Sequence, residues 1–500
     1  MLKTTVASAA LCVSAALALP AAAEISNSPE TLAIGAFRDN QTFDRSMLRT
    51  SHWATYWQPV FDTLLRVDSE GEIHPNVAES YELAEDGQTL TLTLREGLTF
   101  TDGSPVDAEA AKANIEFLLN SNGQNRWGIE GISSIDTPSA TELVIHLSEP
   151  NPAILYSLGT VGGVLAAPAT LGTEEAKAIP VGSGPYIYDQ DASVQGRQYV
   201  YRRNPDYWNP EAFPFENVSI TPMADLSARL NALRSGQIDA APGDPRAAAE
   251  AEASRLDVSN RSIDMFSIFI ADRAGEMVPA LGDVRVRQAI NMAVDAPSIL
   301  EFVDKGFGTL SDQPNVAPNR LHVDDLKDRY PYDPDAARAL IEEAGYGDGI
   351  TIQMPELASM TSYNPILAQQ LQEIGITVEW QKVSPATTIS DLLSGKYPMF
   401  LFRLGSETAW GDVQKFIAPD AAWNTRKSET EELTALIEAA QYAPLDDDAP
   451  FHAITEYLVD NAWFAPWYSY DSVYMTNGDV EVTMPSLNVV PWLWDYRPQQ

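Results

Sequence analysis

Cysteine occurs once, at position 12, and nowhere after it. The rest of the chain therefore has no disulfide, no thiol nucleophile and no thiolate metal site. Histidine is nearly as scarce. The five residues His52, His74, His146, His322 and His452 contain no close pair and no H-E-x-x-H, which argues against a zinc centre and a metal cofactor. Positive charge is in deficit, with 32 Lys and Arg against 70 Asp and Glu and a formal charge of −38. That balance argues against nucleic acid and anionic membrane surfaces as partners. Also missing are G-x-S-x-G, a P-loop G-x-x-x-x-G-K-[ST], internal repeats, low-complexity linkers, and any apolar run after the first 23 residues approaching the roughly 20 needed to cross a bilayer.

What is present begins with an export signal. Lys3 precedes an apolar stretch from Val6 to Leu19, Pro20 breaks it, and the small residues Ala21 and Ala23 suit signal peptidase. Cleavage is expected after Ala23, leaving Glu24 as the new terminus. Leu11 stands before Cys12 where lipidation requires a small residue, so the protein is not expected to be a lipoprotein. Without an anchor it would diffuse freely, which places it in the periplasm.

The remainder reads as mixed α/β. Thr89 to Leu94 (TLTLTL) alternates strictly, as a strand with one buried face does, and Leu143 to Leu147 offers another strand. Asp107 is placed to cap a helix carrying Ile115, Leu118 and Leu119 inward. Asp283 caps a second, with Val286, Ile290, Ala293 and Val294 on one side; Pro297 opens the next. Asp333 and Pro334 start one that carries Leu340 and Ile341 and stops at Gly345.

Six segments in order carry a resemblance: Leu92 to Asp107 (LTLREGLTFTDGSPVD), Val181 to Tyr186 (VGSGPY), Arg203 to Trp208 (RNPDYW), Asp283 to Asp295 (DVRVRQAINMAVD), Tyr332 to Tyr346 (YDPDAARALIEEAGY) and Leu367 to Val378 (LAQQLQEIGITV). Together they resemble the extracellular solute-binding proteins of ABC importers, family 5, whose members bind peptides, opines and nickel. Each motif also has an architectural reading. Gly97 and Asp102-Gly103 suit turns, the Gly182 and Gly184 pair suits a chain crossing near the hinge, Tyr207 and Trp208 suit core anchors, and Arg285 and Arg287 suit surface ion pairs.

The resemblance implies a two-lobed periplasmic-binding-protein fold, type II in its large cluster C-like form. Residues 24–60, 168–265 and 471–500 would build the first lobe, 61–167 an inserted subdomain, and 266–470 the second lobe. A small solute held between the lobes would close them, and permease subunits of the inner membrane would receive it. A monomer is expected. A peptide or amino-acid derivative leads as the solute, with an opine, quaternary amine, oligosaccharide or nickel chelate as alternatives.

For ligand contacts the resemblance points to Met399 to Asp412, where peptide-binding members place an acidic residue for the peptide ammonium. Glu407 or Asp412 would take a cation, Arg403 a carboxylate, and Trp410 an apolar or cationic part. The same residues also read as ordinary loop positions in internal ion pairs. Ser406-Glu407-Thr408 departs from the Asp-containing turn of the peptide binders, and Ala271-Asp272 stands where many relatives carry Asn. Trp53 and Tyr56 would line the opposite wall, although the spacing of 53, 56, 57 and 60 equally suits a short buried helix. Trp463, Trp467 and Tyr468 are expected to pack near the return to the first lobe. The rival classes are an exported hydrolase, for which paired carboxylates are abundant but unspecific, and a sensory binder that serves no permease.

Overall fold

The computed structural model describes residues 30–499 apart from 327 and 445. The expected cleavage site after Ala23, and Cys12, lie outside the described residues. A nine-stranded mixed sheet runs through the molecule. At its centre β1 (Thr31–Ala36) lies parallel to β2 (Asn217–Pro222) on one side and to β3 (Ala240–Pro242) on the other. Three further strands, β4 (Asp257–Ile270), β5 (Met399–Gly405) and β6 (Phe464–Thr476), extend it in the order β5-β4-β6-β3-β1-β2.

Strands β4 and β6 are 14 and 13 residues long, about twice the usual strand, and each serves both halves of the molecule. The start of β4 pairs with the end of β6, Asp257 opposite Thr476, where β6 also pairs with β3. Further along, β4 pairs with β5 from Asp264 to Ile270. Between these regions the β4/β6 register slips at Ser262/Asp264 and again at Phe266/Ser267. Such irregularities bend a strand and sharpen its twist, so the two lobes meet at this bend.

Separate cores fill the parts. Leu32, Ile34, Trp57, Val218 and Trp492 pack in the first lobe, Phe266, Ile290, Ile352 and Leu401 in the second, and Leu90, Leu92, Ile115 and Ile145 beneath a four-stranded sheet made by residues 78–147. The alternating Thr89–Leu94 is the second strand of that sheet, and its leucines are the buried half. Asp107, Asp283 and Asp333 each cap a helix, accepting from Ala110 N, Arg285 N and Ala336 N at 2.9 Å.

Two expectations change. Arg285 does pair with Asp283 at the surface, but Arg287 is buried and donates to the carbonyls of Leu281, Gly282 and Asn461. It closes a helix end rather than forming an ion pair. The glycines of VGSGPY do serve a chain crossing, but not at the lobe hinge. Gly184 N donates to Val60 O at 2.8 Å, and an added Cβ on Gly182 would meet Val60 O at 2.2 Å. The crossing seats the VGSGPY segment against the chain at Val60 and Phe61.

Gly182→Ala is therefore expected to cost about 3 kcal/mol, since backbone blocks the new methyl. Gly97→Ala, with φ of 76° and nothing within 4 Å of its Cβ, should cost only the left-handed backbone penalty of about 1 kcal/mol. Urea midpoints of the two variants would show the difference, and equal losses would contradict the crossing.

Candidate ligand cleft

In open α/β sheets ligands sit beyond the carboxyl ends of parallel strands. Here β1, β2 and β3 end together, delivering Phe37-Arg38, Met223-Ala224 and Gly243-Asp244 to one edge of the first lobe. The second lobe meets this edge through the end of β5. Tyr470, at the bend of β6, marks the meeting point: its hydroxyl feels both Asp244 of the first lobe and Arg403 of the second. A second crossing point lies at Tyr156, on the short helix Ile154–Gly159. Burial, and then the carboxylates of Glu407 and Asp412, push its hydroxyl pKa up. The same hydroxyl donates to Leu487 O at 3.3 Å.

On the first-lobe wall, Arg38 is exposed and its guanidinium lies 5.0 Å from the Phe37 ring and 5.5 Å from that of Trp53. Trp53 is half-buried, with Arg49 on its ring at 5.2 Å. Next to it, His52 packs edge-on to Phe37. Burial, then Arg38 and Arg229, drive the His52 pKa down to about 4. Tyr56 is not on this wall. The helical spacing turns it inward, fully buried against Tyr199, and its hydroxyl donates to Arg38 O at 2.7 Å. It supports the strand end that carries Arg38, and Trp57 is likewise core.

On the second-lobe wall the four expected residues divide. Glu407 is half-buried and pairs with Lys415 at 3.0 Å; Lys415 also donates to Gly405 O at 2.7 Å. Burial alone would lower the Lys415 pKa, but Glu407 and Asp412 outweigh it and raise it. Arg403 is stacked on Tyr470 at 3.6 Å and on Phe266 at 4.9 Å, donates to Tyr363 Oη, and lies 3.8 Å from Asp304. Its Nε is buried without a hydrogen-bond partner. Between Arg403 and Lys415 sits Asp264, whose carboxyl burial pushes up while both cations pull it down.

Trp410 and Asp412 are inside. Trp410 is 5% exposed within the second-lobe core. Asp412 is completely buried and accepts from Asn315 Nδ2 at 2.6 Å, Asn319 Nδ2 at 3.0 Å, Ser406 Oγ at 2.5 Å and Glu407 N at 2.9 Å. Burial nonetheless holds its pKa up at about 6. Asp412 ties the 315–319 loop to the turn and so fixes Glu407. Asp272 is buried too, accepting from the backbone of Glu276, Met277 and Val278. Trp463, Trp467 and Tyr468 are core residues of the second lobe.

Arg38, Tyr156, Asp264 and Lys415 were not singled out in the sequence. Arg38 had a usable signal, since it follows an apolar strand; Lys415 lies in the same turn as Asp412. Tyr156 had none, because only tertiary packing brings it to Glu407. Among the described residues, no group of three or more His, Cys, Asp and Glu is placed to hold a metal ion, and no helix is long and apolar enough to cross a membrane.

Two variants test this wiring. Asp412→Asn should cost about 2 kcal/mol at neutral pH, because its new NH2 would face donors that need an acceptor; denaturant titration measures it, and a neutral result would remove Asp412 from the turn's support. His52 is depressed below its unfolded value of 6.5. Its contribution is thus complete above about pH 6.5 and lost as pH falls through about 4. The stability difference between wild type and His52→Gln should shrink over that window, and a difference that did not change with pH would contradict a buried neutral ring.

Comparison with known proteins agrees with this architecture. Residues 72–422 match the family described as bacterial extracellular solute-binding proteins, family 5 Middle. Glutathione-binding protein GsiB of Escherichia coli (strain K12) is 28% identical over 333 residues, 64% of this chain and 63% of that protein, so the match spans less than two thirds of the relative. NikA from Brucella suis, solved in complex with Fe(III)-EDTA, superimposes with a TM-score of 0.82 at 21% identity over 94% of this chain and all of NikA. DppA from Helicobacter pylori, solved in complex with peptide STSA, does so with a TM-score of 0.75 at 19% identity over 94% and 98%. At these identities the structural likeness establishes the two-lobed periplasmic-binding-protein fold. With 351 of its 500 residues inside the family match (422 − 72 + 1), the chain belongs to the bacterial extracellular solute-binding proteins, family 5.

Proposed function

We propose that this protein is the solute receptor of an ABC importer, a monomer exported to the periplasm by cleavage after Ala23, and that it binds rather than transforms its ligand. The solute is a peptide or amino-acid derivative carrying both an ammonium and a carboxylate. It is held between the lobes, and the closed form is what the permease subunits of the inner membrane recognise.

The observation that carries this reading is the distribution of charge across the cleft. Arg38 on the first lobe makes no ion pair among the described residues, while Glu407 on the second is half-buried beside Lys415. A zwitterion answers both: its carboxylate meets Arg38 under the cover of Trp53, and its ammonium joins Glu407. An uncharged solute would leave the Arg38 guanidinium desolvated without an anionic partner as the lobes closed. Arg403, the carboxylate grip expected from the sequence, serves less well because Tyr363, Tyr470 and Asp304 already hold its guanidinium. The relatives support the class, since GsiB is named for glutathione and DppA was solved with a peptide.

A thermal-shift screen over dipeptides, opines, sugars and metal chelates tests it. A true ligand at 100 times its dissociation constant should stabilise the protein by about 2.7 kcal/mol, and should be recovered unchanged after incubation. Arg38→Ala and Glu407→Gln should each weaken a dipeptide about tenfold, or about 1.4 kcal/mol. A response to sugars alone would remove the zwitterion assignment, and unchanged affinity in both variants would remove the site.

A further inference from the structure

The 61–167 region touches the second lobe as well as the first. To the first-lobe side it is fastened in three places. Arg261, in the first half of β4, donates through both Nη atoms to Glu70 at 2.8 and 2.6 Å. Ser486 N donates to Ser69 O at 2.8 Å, and the Tyr156 hydroxyl donates to Leu487 O at 3.3 Å. Whatever the region offers to the second lobe therefore moves with the first.

What it offers is the segment 149–156, which meets the second lobe at three successive points. Gln441, the last residue of the helix Glu431–Gln441, donates from Nε2 to Pro150 O at 3.2 Å and to Glu149 Oε2 at 3.4 Å. Ala153 is 1% exposed and packs into the hydrophobic core of the second lobe rather than into the core of its own region. The Tyr156 hydroxyl feels the charges of Glu407 and Asp412, which puts the segment on the cleft side of the ribbon formed by β4 and β6. Parting the lobes at that ribbon must break all three contacts.

The segment is shaped to dock and release rather than to fuse. Pro150 and Pro152 fix φ at two of its positions, and Asn151 between them accepts from Ala153 N at 3.0 Å. Its form is thus set before contact, and little chain entropy is lost on docking. Around Gln441 the fit is incomplete, with a crevice of about 380 Å³ between residues 83–87 and 150–152 on one side and 441–444 on the other. Protein interiors seldom leave such a space, and partly polar contacts between domains are those that permit relative motion. Glu149 is exposed and Gln441 half-buried, so water competes for their bond and its net value is modest.

We propose that segment 149–156 is a closure latch: docked on Gln441 and on the second-lobe core, it holds the lobes together. The latch adds the same stabilisation to the closed form whichever solute is bound. It sets how readily the lobes close, while the cleft walls set the choice of solute. It requires the two-lobed fold and not the zwitterion reading.

Small-angle X-ray scattering on the full exported protein, without solute, tests this. Gln441→Glu sets a carboxylate against Glu149 and the Pro150 carbonyl, and should shift the balance of lobes about fivefold toward open, with a larger radius of gyration. Gln441→Lys gives Glu149 an opposite charge and should shift it the other way, with a smaller radius. A short bismaleimide joining Glu149→Cys to Gln441→Cys, in a chain with no cysteine beyond position 12, should give the compact limit. Equal scattering by Gln441→Glu and Gln441→Lys would overturn the latch, as would a cross-linked protein no more compact than Gln441→Glu. Opposite shifts carry it, because simple destabilisation would move both variants the same way. A failed dipeptide screen would leave these measurements unchanged, so the latch and the solute assignment fall separately.

Discussion

The pairing of β4 with β6 is the constraint on which the other features depend. Twelve of the residues of β4 find partners on β6, so the connection between the lobes is a two-stranded ribbon and not a pair of loose loops. Ribbons of this kind bend readily across the strand plane and resist shear along it. Here the bend is built in by the register slips around Ile263 and after Phe266. The neighbouring hydrogen bonds make the same point. Asp471 accepts from Ser262 and Asn260 across the ribbon, and Ser262 also meets Thr309. The hinge is cross-linked by polar side chains, which can shift geometry at lower cost than an apolar core could.

On the proposed reading, the cleft walls need only present the right groups at the right height as the lobes close. Each wall does so through residues that are not themselves on it. Tyr56 supports the carbonyl of Arg38 from within the first-lobe core. Asp412 gathers two asparagines, a serine and a backbone amide and so holds the turn that carries Glu407. Arg403 is clamped by Tyr363, Tyr470 and Asp304 at the bend itself. Buried polar groups held by several hydrogen bonds give such a site a defined shape. The cost of burying Asp412 appears in its raised pKa, which four donors do not fully offset.

Much of this was legible before any coordinates. Alternation at Thr89–Leu94 and the Asp caps at 107, 283 and 333 are local signals, decided by residues within one turn or strand, and they hold. The family resemblance carried the two-lobed fold, which no local pattern would have supplied. Burial was harder to read. Asp412 and Glu407 stand five residues apart in one polar turn, and only the 315–319 loop, distant in sequence, makes one a buried hub and leaves the other half-buried. Arg287 misled for the same reason, since the carbonyls it serves include Asn461. Tyr156 lay beyond reach because its neighbours are far from it in sequence.

The acidity of the chain bears on how a solute arrives. A net charge of −38 creates a field that repels anions at long range, but at physiological salt the field fades over about 8 Å. Inside that distance the local charges decide. The cleft edge carries Arg38, Arg403 and Lys415 beside Glu407 and Asp264, close to balance in a molecule that is otherwise strongly acidic. A zwitterion has no net charge to be repelled and a large dipole to be oriented, so it crosses the outer field without penalty and aligns only once it reaches the cleft. On the proposed zwitterion reading the surface charge rejects polyanions, while selectivity is left to a handful of paired groups that the ribbon brings together.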